Sequence, residues 1–329
     1  MASIAQWDIN NECNLNCKHC RVSQKNDNEK LSLKEAKELL SQLWYNGVTI
    51  LNLSGGEPFL RKDIFEILDF TKKFEDIVIT TNGTLLDEET CEKLSTYTNV
   101  RLSISLDGLE ETHDKFRRKK GTFNKVIDAL PILKKYNIRY AIKYTLSKET
   151  IGDVIELLRL IAKYGATEFN TRRVIVAGNA DEDMLLSNEE YKNIIKEIIQ
   201  ECKKLNINFR TGDPLLIPIF PEIFGIDIKN DDLSKIYAGC QAGDEIIYID
   251  YKGNVGACSY IPKFADNIKE KTLDDILENN KLFVDLRDYK NKLKGKCEKC
   301  AYKTICGGCR ASAMAFKKSL FEEDPLCLV

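Results

Sequence analysis

The chain has 329 residues, 43% of them apolar, which suffices for one large domain with a smaller appendage. Its 49 Lys and Arg nearly balance 51 Asp and Glu, and the net charge of -2 argues against a nucleic-acid partner. No apolar run approaches the roughly 20 residues of a membrane span and no signal peptide is visible, so the sequence predicts a cytoplasmic protein without a membrane partner. Structural disulfides are rare there, so twelve cysteines indicate metal binding or redox chemistry.

Short β-like runs alternate with amphipathic helical patterns over the first two thirds of the chain. The predicted strands are Ile4–Ile9, Val48–Leu53, Ile77–Thr81, Val100–Leu106, Arg139–Leu146 and Glu168–Val176. The predicted helices are Leu33–Tyr45, Asp63–Lys73, Asp87–Thr96, Phe123–Tyr136, Val154–Tyr164 and Asn188–Leu205. This alternation predicts a parallel α/β sheet, either a partial (β/α)6 TIM-like barrel or a doubly wound open sheet. In both folds ligands gather at the C-terminal ends of the strands.

The periodicity ends near Leu205. Residues 211–236, which are rich in Pro, Gly and apolar residues, are predicted to be a linker or bridging region. Residues 237–329 hold seven of the twelve cysteines and predict a hairpin at Ile246–Asp250 and Val255–Cys258. A domain this small has too little apolar core to be stable without crosslinks, and bound metal clusters can provide them. The sequence therefore predicts a barrel at 1–210, a linker at 211–236 and a small cysteine-rich domain at 237–329.

Three cysteines lie within eight residues after the first predicted strand, in Cys13-Asn14-Leu15-Asn16-Cys17-Lys18-His19-Cys20. Three thiolates on one loop can hold three irons of a [4Fe–4S] cube and leave the fourth iron open. A structural zinc loop is the alternative for this motif. The C-x3-C-x2-C spacing resembles the signature of the radical S-adenosylmethionine (SAM) enzymes. This resemblance implies the partial barrel and a cluster on Cys13, Cys17 and Cys20. It also implies a SAM molecule whose amino and carboxylate groups chelate the open iron.

The C-terminal cysteines resemble the SPASM extension of radical SAM enzymes, which carries auxiliary [4Fe–4S] clusters. The resemblance places one cluster on Cys297, Cys300, Cys306 and Cys327. It places a second, whose fourth ligand is undetermined, on Cys240, Cys258 and Cys309. The C-x2-C spacing of Cys306 and Cys309 departs from the common C-x3-C pattern, as in members related to pyrroloquinoline quinone and heme d1 biosynthesis. The resemblance thus implies three [4Fe–4S] clusters, and a two-zinc structural domain is the alternative for the C-terminal set.

Further motifs follow the predicted strands. The glycines of Gly55-Gly56-Glu57-Pro58 can let backbone groups approach a ligand, and Glu57 supplies a carboxylate for an ammonium group. The segment resembles the family's GGEP motif, which binds the amino group of SAM. The resemblance also assigns to the cofactor Asn82, Ser105, Arg117 and Arg173. Ordinary turn chemistry or a solvated arginine would explain these last positions without a ligand.

Lys143 and Arg172 lie on predicted strands and could point into the barrel, where a charge costs several kcal/mol unless it is paired or hydrated. They are the candidate catalytic or substrate-contacting residues, and no other catalytic residue is identified. The resemblance implies that SAM is cleaved reductively to a 5′-deoxyadenosyl radical, which abstracts a hydrogen atom from the substrate. It also implies a reductant such as flavodoxin or ferredoxin and an anaerobic setting.

The resemblance favours oxidative modification of a ribosomally made peptide or protein, such as a thioether or carbon–carbon crosslink, by a small margin. No fused leader-binding domain is visible, so a peptide substrate would call for a separate recognition protein or a barrel mouth that suffices alone. Modification of a tetrapyrrole side chain in a heme pathway, such as oxidative decarboxylation, is the alternative, and the C-G-G-C-R segment at 306–310 supports it. A non-catalytic iron–sulfur carrier or zinc scaffold is the alternative of another class. It gives no reason for the glycine-rich strand ends.

Overall fold

A computed structural model describes residues 2–22, 29–224 and 239–329. Within these ranges ten strands form one sheet. They are β1 (Ile4–Asn10), β2 (Ile50–Gly55), β3 (Asp76–Thr81), β4 (Val100–Ser105), β5 (Tyr140–Leu146), β6 (Glu168–Arg173), β7 (Asn208–Thr211), β8 (Ile246–Ile249), β9 (Asn254–Gly256) and β10 (Phe264–Asn267).

The helices of the barrel pack outside the sheet. They are α1 (Leu33–Tyr45), α2 (Ile64–Asp69), α3 (Glu88–Leu94), α4 (Glu110–Arg117), α5 (Thr122–Lys135), α6 (Val154–Lys163), α7 (Asn188–Leu205) and α8 (Phe220–Phe224). The C-terminal helices are α9 (Leu273–Asn279), α10 (Lys281–Arg287), α11 (Tyr289–Lys292) and α12 (Arg310–Lys317). None of the helices described here combines the length and apolar character needed to cross a membrane.

The order of the strands decides between the two predicted architectures. The sheet runs β10-β9-β8-β1-β2-β3-β4-β5-β6-β7, and β1 to β7 are parallel in chain order. A doubly wound sheet would reverse its order at a switch point, whereas a barrel keeps each strand beside its successor. The predicted partial barrel is therefore confirmed, and the doubly wound alternative is wrong. The short polar strand β7 was not predicted, since it has no alternating apolar face.

The C-terminal hairpin joins the same sheet. The predicted hairpin is formed by β8 and β9, which pair antiparallel, and β10 pairs antiparallel with β9. Strand β8 lies parallel to β1, with Ile4 opposite Ile246 and Trp7 opposite Ile249. The cysteine-rich segment is thus hydrogen-bonded to the first strand of the barrel.

Local sequence explains why the helices begin where they do. In α1 the Ser32 side chain accepts from the Glu35 N–H, and the Glu35 carboxylate accepts from the Ser32 N–H, which is a complete capping box. The face that α1 turns to the sheet is buried and carries Ala36, Leu39, Leu40 and Leu43. Burying each leucine contributes about 2 kcal/mol, so packing against the sheet stabilises the helix more than its cap does.

Alternation along β5 and β6 sends charged side chains into the barrel. Tyr144 and Phe169 lie on the outer face, where their ring centroids are 5.7 Å apart under the helices. Lys143 and Arg172, which alternate with them, line the internal cavity. The two predicted candidates therefore point into the barrel, because successive side chains of a strand face opposite sides.

Part of the predicted linker belongs to the core. Residues Pro214–Ile219 form a 3₁₀ helix, in which Leu215, Leu216 and Ile217 are buried. The remainder of the predicted linker from 225, and the predicted domain start at 237, lie outside the described residues. The domain boundaries at 210 and 236 stay a prediction.

Candidate active site

The three N-terminal cysteines lie on the loop that leaves β1, which we call the cysteine loop (residues 11–22). The Leu15 N–H donates to Cys13 Sγ at 3.4 Å, and Arg117 Nη1 donates to Cys17 Sγ at 3.6 Å. None of the twelve cysteines takes part in a disulfide. Burial raises the pKa of Cys13 to about 11, so this thiol is protonated at neutral pH unless a metal displaces its proton.

Single-ion coordination is a separate question from cluster binding. Across the described ranges, no three His, Cys, Asp or Glu side chains converge as they would around one metal ion. Thiolates that hold a cube bind irons at different corners and lie farther apart than thiolates on one ion. The absence of such a group therefore concerns sites for a single metal ion and does not concern iron–sulfur clusters.

The two glycines after β2 make room for the cysteine loop. A Cβ on Gly55 would lie 2.2 Å from the Asn10 carbonyl oxygen, and one on Gly56 would lie 1.9 Å from that of Glu12. Gly55 also has φ +124°, a conformation that side chains disfavour. The glycines thus bring β2 against the backbone of the cysteine loop, and Gly55 also borders a small cavity beside it. The close approach to a ligand stays a prediction.

We expect Gly56→Ala to displace the cysteine loop, because the new methyl group would meet backbone that cannot rotate away. A loss of about 3 kcal/mol in the free energy of unfolding should accompany it, with reduced iron uptake on reconstitution. Urea unfolding and an iron assay measure both. Gly152→Ala is the matched control, since a Cβ there meets nothing within 4 Å. If both variants lost the same stability and iron uptake, the close contact of Gly56 with the cysteine loop would have no role.

Glu57 is fully buried and ties three elements together. Its Oε1 accepts from the Thr81 hydroxyl at 2.7 Å, and its Oε2 accepts from the Asn82 N–H at 2.8 Å. Its main-chain oxygen accepts from Asn10 Nδ2 at 2.9 Å. Burial raises the pKa of Glu57 to about 7. The carboxyl group therefore fixes the ends of β2 and β3 beside the cysteine loop, and Pro58 begins the short 3₁₀ helix that follows.

Asn82 reaches the cysteine loop directly. Its Nδ2 donates to Asn14 Oδ1 at 2.8 Å and lies 3.9 Å from Cys13 Sγ. Its Oδ1 accepts from the Thr84 hydroxyl at 2.7 Å. Ser105, at the end of β4, lines a small cavity of about 120 Å³ beside the loop. The structure thus brings both predicted residues to the cysteine loop.

Besides Arg173 Nη2, which lies 3.6 Å from Asp324 Oδ2, two buried nitrogen atoms on residues that line this small cavity make no hydrogen bond within the described ranges. They are Nδ1 of His19, whose ring stacks on Phe116 at 4.4 Å, and Nε of Arg117. Burial lowers the pKa of His19 to about 3, so the imidazole is neutral. The Arg117 guanidinium is otherwise held by Asp107 and Cys17. The purine and carboxylate of SAM would satisfy both nitrogens, so the residues present fit the predicted cofactor.

Arg172 and Arg173 have opposite surroundings. Arg173 Nε lies 3.0 Å from Asp213 Oδ2, and its Nη1 donates to the Leu326 carbonyl at 3.1 Å. Although Arg173 borders the small cavity, its charge holds β6 to the segment that carries Cys327. Arg172 instead points inward. The resemblance assigns Arg173 to the cofactor. Because side chains alternate along β6, however, it is Arg172 that points into the barrel.

A cavity of about 660 Å³ fills the barrel and adjoins the small one. Both are lined by Arg21, Lys143, Arg172 and Tyr260. The Arg172 guanidinium lies 4.4 Å from the centre of the Tyr260 ring, while Arg21 makes two hydrogen bonds to Asp8. Sequence reasoning missed Arg21 and Tyr260, although each lies within two residues of a predicted cluster cysteine.

The C-terminal cysteines fall into the two predicted sets. A cleft is lined by Cys297, Cys300, Cys306 and Cys327. In the other set, burial raises the pKa of Cys240, Cys258 and Cys309. Each of these thiols is also close enough to another member of the set for the charge of that neighbour to raise its pKa further. The structure thus brings each set together, and thiolate sets of this kind suit Fe–S clusters.

Comparison with known proteins agrees with this geometry. Residues 7–161 match the radical SAM superfamily, and residues 240–301 match the iron–sulfur cluster-binding domain SPASM. The chain is 34% identical to an AdoMet-dependent heme synthase of Methanosarcina barkeri, over 99% of this chain and 96% of that protein. It is 29% identical to the mycofactocin maturase MftC of Mycolicibacterium smegmatis, over 98% of this chain and 81% of that protein.

The fold is also that of a solved structure. SuiB of Streptococcus suis, bound to its precursor peptide SuiA, superposes with a TM-score of 0.84 at 21% identity, over 100% of this chain and 76% of SuiB. At this identity the likeness concerns the fold alone.

Proposed function

Because this chain belongs to the radical SAM superfamily and carries a SPASM domain, we propose that it oxidises propionate side chains of a tetrapyrrole to vinyl groups. Loss of a hydrogen atom, one electron and CO2 converts the one side chain into the other. The chain is an enzyme, and the carrier and scaffold alternatives are not retained. When bound, SAM with its cluster supplies the hydrogen-abstracting radical, and auxiliary clusters supply the acceptor for the released electron. We propose three [4Fe–4S] clusters, on the cysteine sets given above.

The observation that carries the proposal is the charge of the cavity wall. Near the cysteine loop this wall presents Arg21, Lys143 and Arg172. Arg21 is neutralised by Asp8, which leaves Lys143 and Arg172 as the cations without a carboxylate partner among the described residues. Buried cations need an anionic partner, and a substrate rich in carboxylates provides it.

Size and position support the same substrate class. A volume of about 660 Å³ lies within the range of small-molecule and cofactor sites. The cations stand at the end of the cavity that adjoins the small cavity beside the cysteine loop, because both cavities share them. A propionate held by Lys143 and Arg172 would therefore present its carbon atoms toward the cofactor.

A peptide is the second candidate substrate. The resemblance of the sequence motifs favours it by a small margin, and the similarity to MftC over 98% of this chain supports it. The similarity to the heme synthase is greater, at 34% identity against 29% for MftC. A separate leader-recognition protein would belong to this candidate alone.

Anaerobic turnover tests the proposal. Reconstituted protein is incubated with dithionite, SAM and an iron porphyrin that carries propionates, and products are read by mass spectrometry. We expect substrate-dependent 5′-deoxyadenosine and the loss of one CO2 and two hydrogens for each converted side chain. The methyl ester of the same porphyrin, which has no free carboxylate, is the control. SAM cleavage that leaves every porphyrin intact would contradict the tetrapyrrole assignment.

The affinity for this substrate should fall as the pH rises through about 8. Burial, together with Arg172 and Arg21, lowers the pKa of Lys143 to about 8, so the ammonium loses its proton in that range and a bound propionate loses its partner. We expect the Kd to rise about tenfold between the protonated and deprotonated plateaus. Absorbance titrations at several pH values measure it.

Lys143→Arg is the matched control, because an arginine keeps its charge throughout this range. Its Kd should stay constant where that of the unmodified protein rises. The same rise in both proteins would show that another group titrates.

A further inference from the structure

A strongly basic segment of the chain lies against the cysteine loop. Five of the six residues from 115 to 120 are cationic. Arg117 is buried and paired with Asp107, whereas the others are exposed. We call the three consecutive exposed residues Arg118, Lys119 and Lys120 the basic turn. In a chain of net charge -2 this is a local excess of positive charge.

The basic turn has a fixed shape. Arg118 ends α4 in the left-handed conformation, with φ 57°. The Asp114 carboxylate accepts from the Thr122 hydroxyl at 2.6 Å and the Phe123 N–H at 2.9 Å, and so holds the start of α5. The cations are therefore presented by an ordered connection between two helices.

Direct contacts join this connection to the cysteine loop. The Lys18 N–H donates to the Phe116 carbonyl at 3.0 Å, and Lys119 Nζ donates to the Asn14 carbonyl at 3.1 Å. Asn16, in the middle of the loop, is exposed. The loop thus turns one side to the small cavity and the other to solvent beside the basic turn.

We propose that the basic turn is the docking surface for an acidic one-electron carrier protein, an inference that rests on the proposed function. The carrier is oxidised by one electron, the cluster on the cysteine loop is reduced by one, and no bond forms or breaks. Cations around the exposed side of the loop attract a negatively charged partner and bring its redox group close to the thiolates. A nucleic acid would need a longer basic stripe than one turn.

Charge reversal tests the surface. The variant is Arg118→Glu with Lys120→Glu, which leaves the contact from Lys119 to Asn14 intact. The matched control, Lys73→Glu with Lys203→Glu, makes the same charge change at exposed positions toward the other end of the barrel. The probe is flavodoxin hydroquinone, which reduces each protein in anaerobic stopped-flow experiments at several salt concentrations. Flavodoxin affinity is measured separately by fluorescence titration.

At low salt we expect the double variant to lose at least about tenfold in reduction rate and in flavodoxin affinity. The control should behave as the unmodified protein, and added salt should erase the difference. Dithionite needs no docking, so 5′-deoxyadenosine formed with dithionite in the presence of the porphyrin should be unchanged in every variant. Unaltered flavodoxin affinity, or an equal loss with dithionite, would overturn the docking role. If even the unmodified protein failed to cleave SAM with dithionite, the proposed function would fail, while the affinities would still decide the docking surface.

Discussion

Replacing Cys17 by alanine is expected to abolish the formation of 5′-deoxyadenosine. Cys17 is buried in the middle of the cysteine loop, and its thiol is the acceptor for the Arg117 guanidinium. Without it the loop offers two thiolates, and a cube bound by two thiolates is not retained. Iron content after reconstitution should fall by about four atoms per chain. An iron assay and chromatography of the SAM cleavage products measure the two effects.

Cys91→Ala is the matched control for this variant. Cys91 is also fully buried, but it packs in the apolar core on α3 and belongs to none of the predicted cluster sets. Its replacement should cost about 1 kcal/mol of stability and leave iron content and SAM cleavage intact. Full iron loading in Cys17→Ala, or an equal loss in Cys91→Ala, would show that the cysteine loop holds no cluster.

Replacing Arg172 by methionine should weaken porphyrin binding by about ten- to a hundredfold, the equivalent of roughly 1.5 to 3 kcal/mol for a charged hydrogen bond. The inward guanidinium stacks on Tyr260 and borders both cavities, so it meets a substrate near the cofactor. Arg172→Lys should recover part of the loss, because it restores the charge without the planar fork. Absorbance titration of the porphyrin gives the Kd.

Arg210→Met supplies the comparison within the same cavity. Arg210 lies on β7, and its Nε pairs with Glu168 at 2.9 Å, so its charge is already satisfied. We expect less than about a twofold change in the Kd, as for other exposed ion pairs. If both arginine variants bound the porphyrin as the unmodified protein does, the cavity would not be the site for its carboxylates.

The parts of the fold that the sequence predicted are those encoded locally. Alternating periods give the strands and helices of the barrel, and cysteine spacing within one loop marks the metal-binding chemistry. That the side chains of Lys143 and Arg172 point into the barrel could be predicted from the alternation of side chains along a strand alone. The strand period alone does not predict the partners of Arg173, which borders the small cavity and also pairs with Asp213. Its assignment to the cofactor stays a prediction.

Contacts between distant segments could not be predicted. The sequence around Tyr260 does not predict the contact of its ring with Arg172, because that contact depends on how the C-terminal segment packs against the barrel. The glycines after β2 pose the same problem. Their small size predicts room for a ligand, but only the fold shows that Gly56 also has to accommodate the carbonyl of Glu12.

The pairing of β8 with β1 determines the order in which the molecule can be assembled. Ile4 leaves the ribosome early, but its neighbour Ile246 is made only after most of the chain. Until then one edge of β1, the strand that leads into the cysteine loop, has unpaired amide and carbonyl groups that can pair with another chain. Closing this contact is also slow, because its two strands are separated by about three quarters of the sequence. Completion of the sheet therefore comes late in synthesis, and a chain truncated before β8 would retain an aggregation-prone edge.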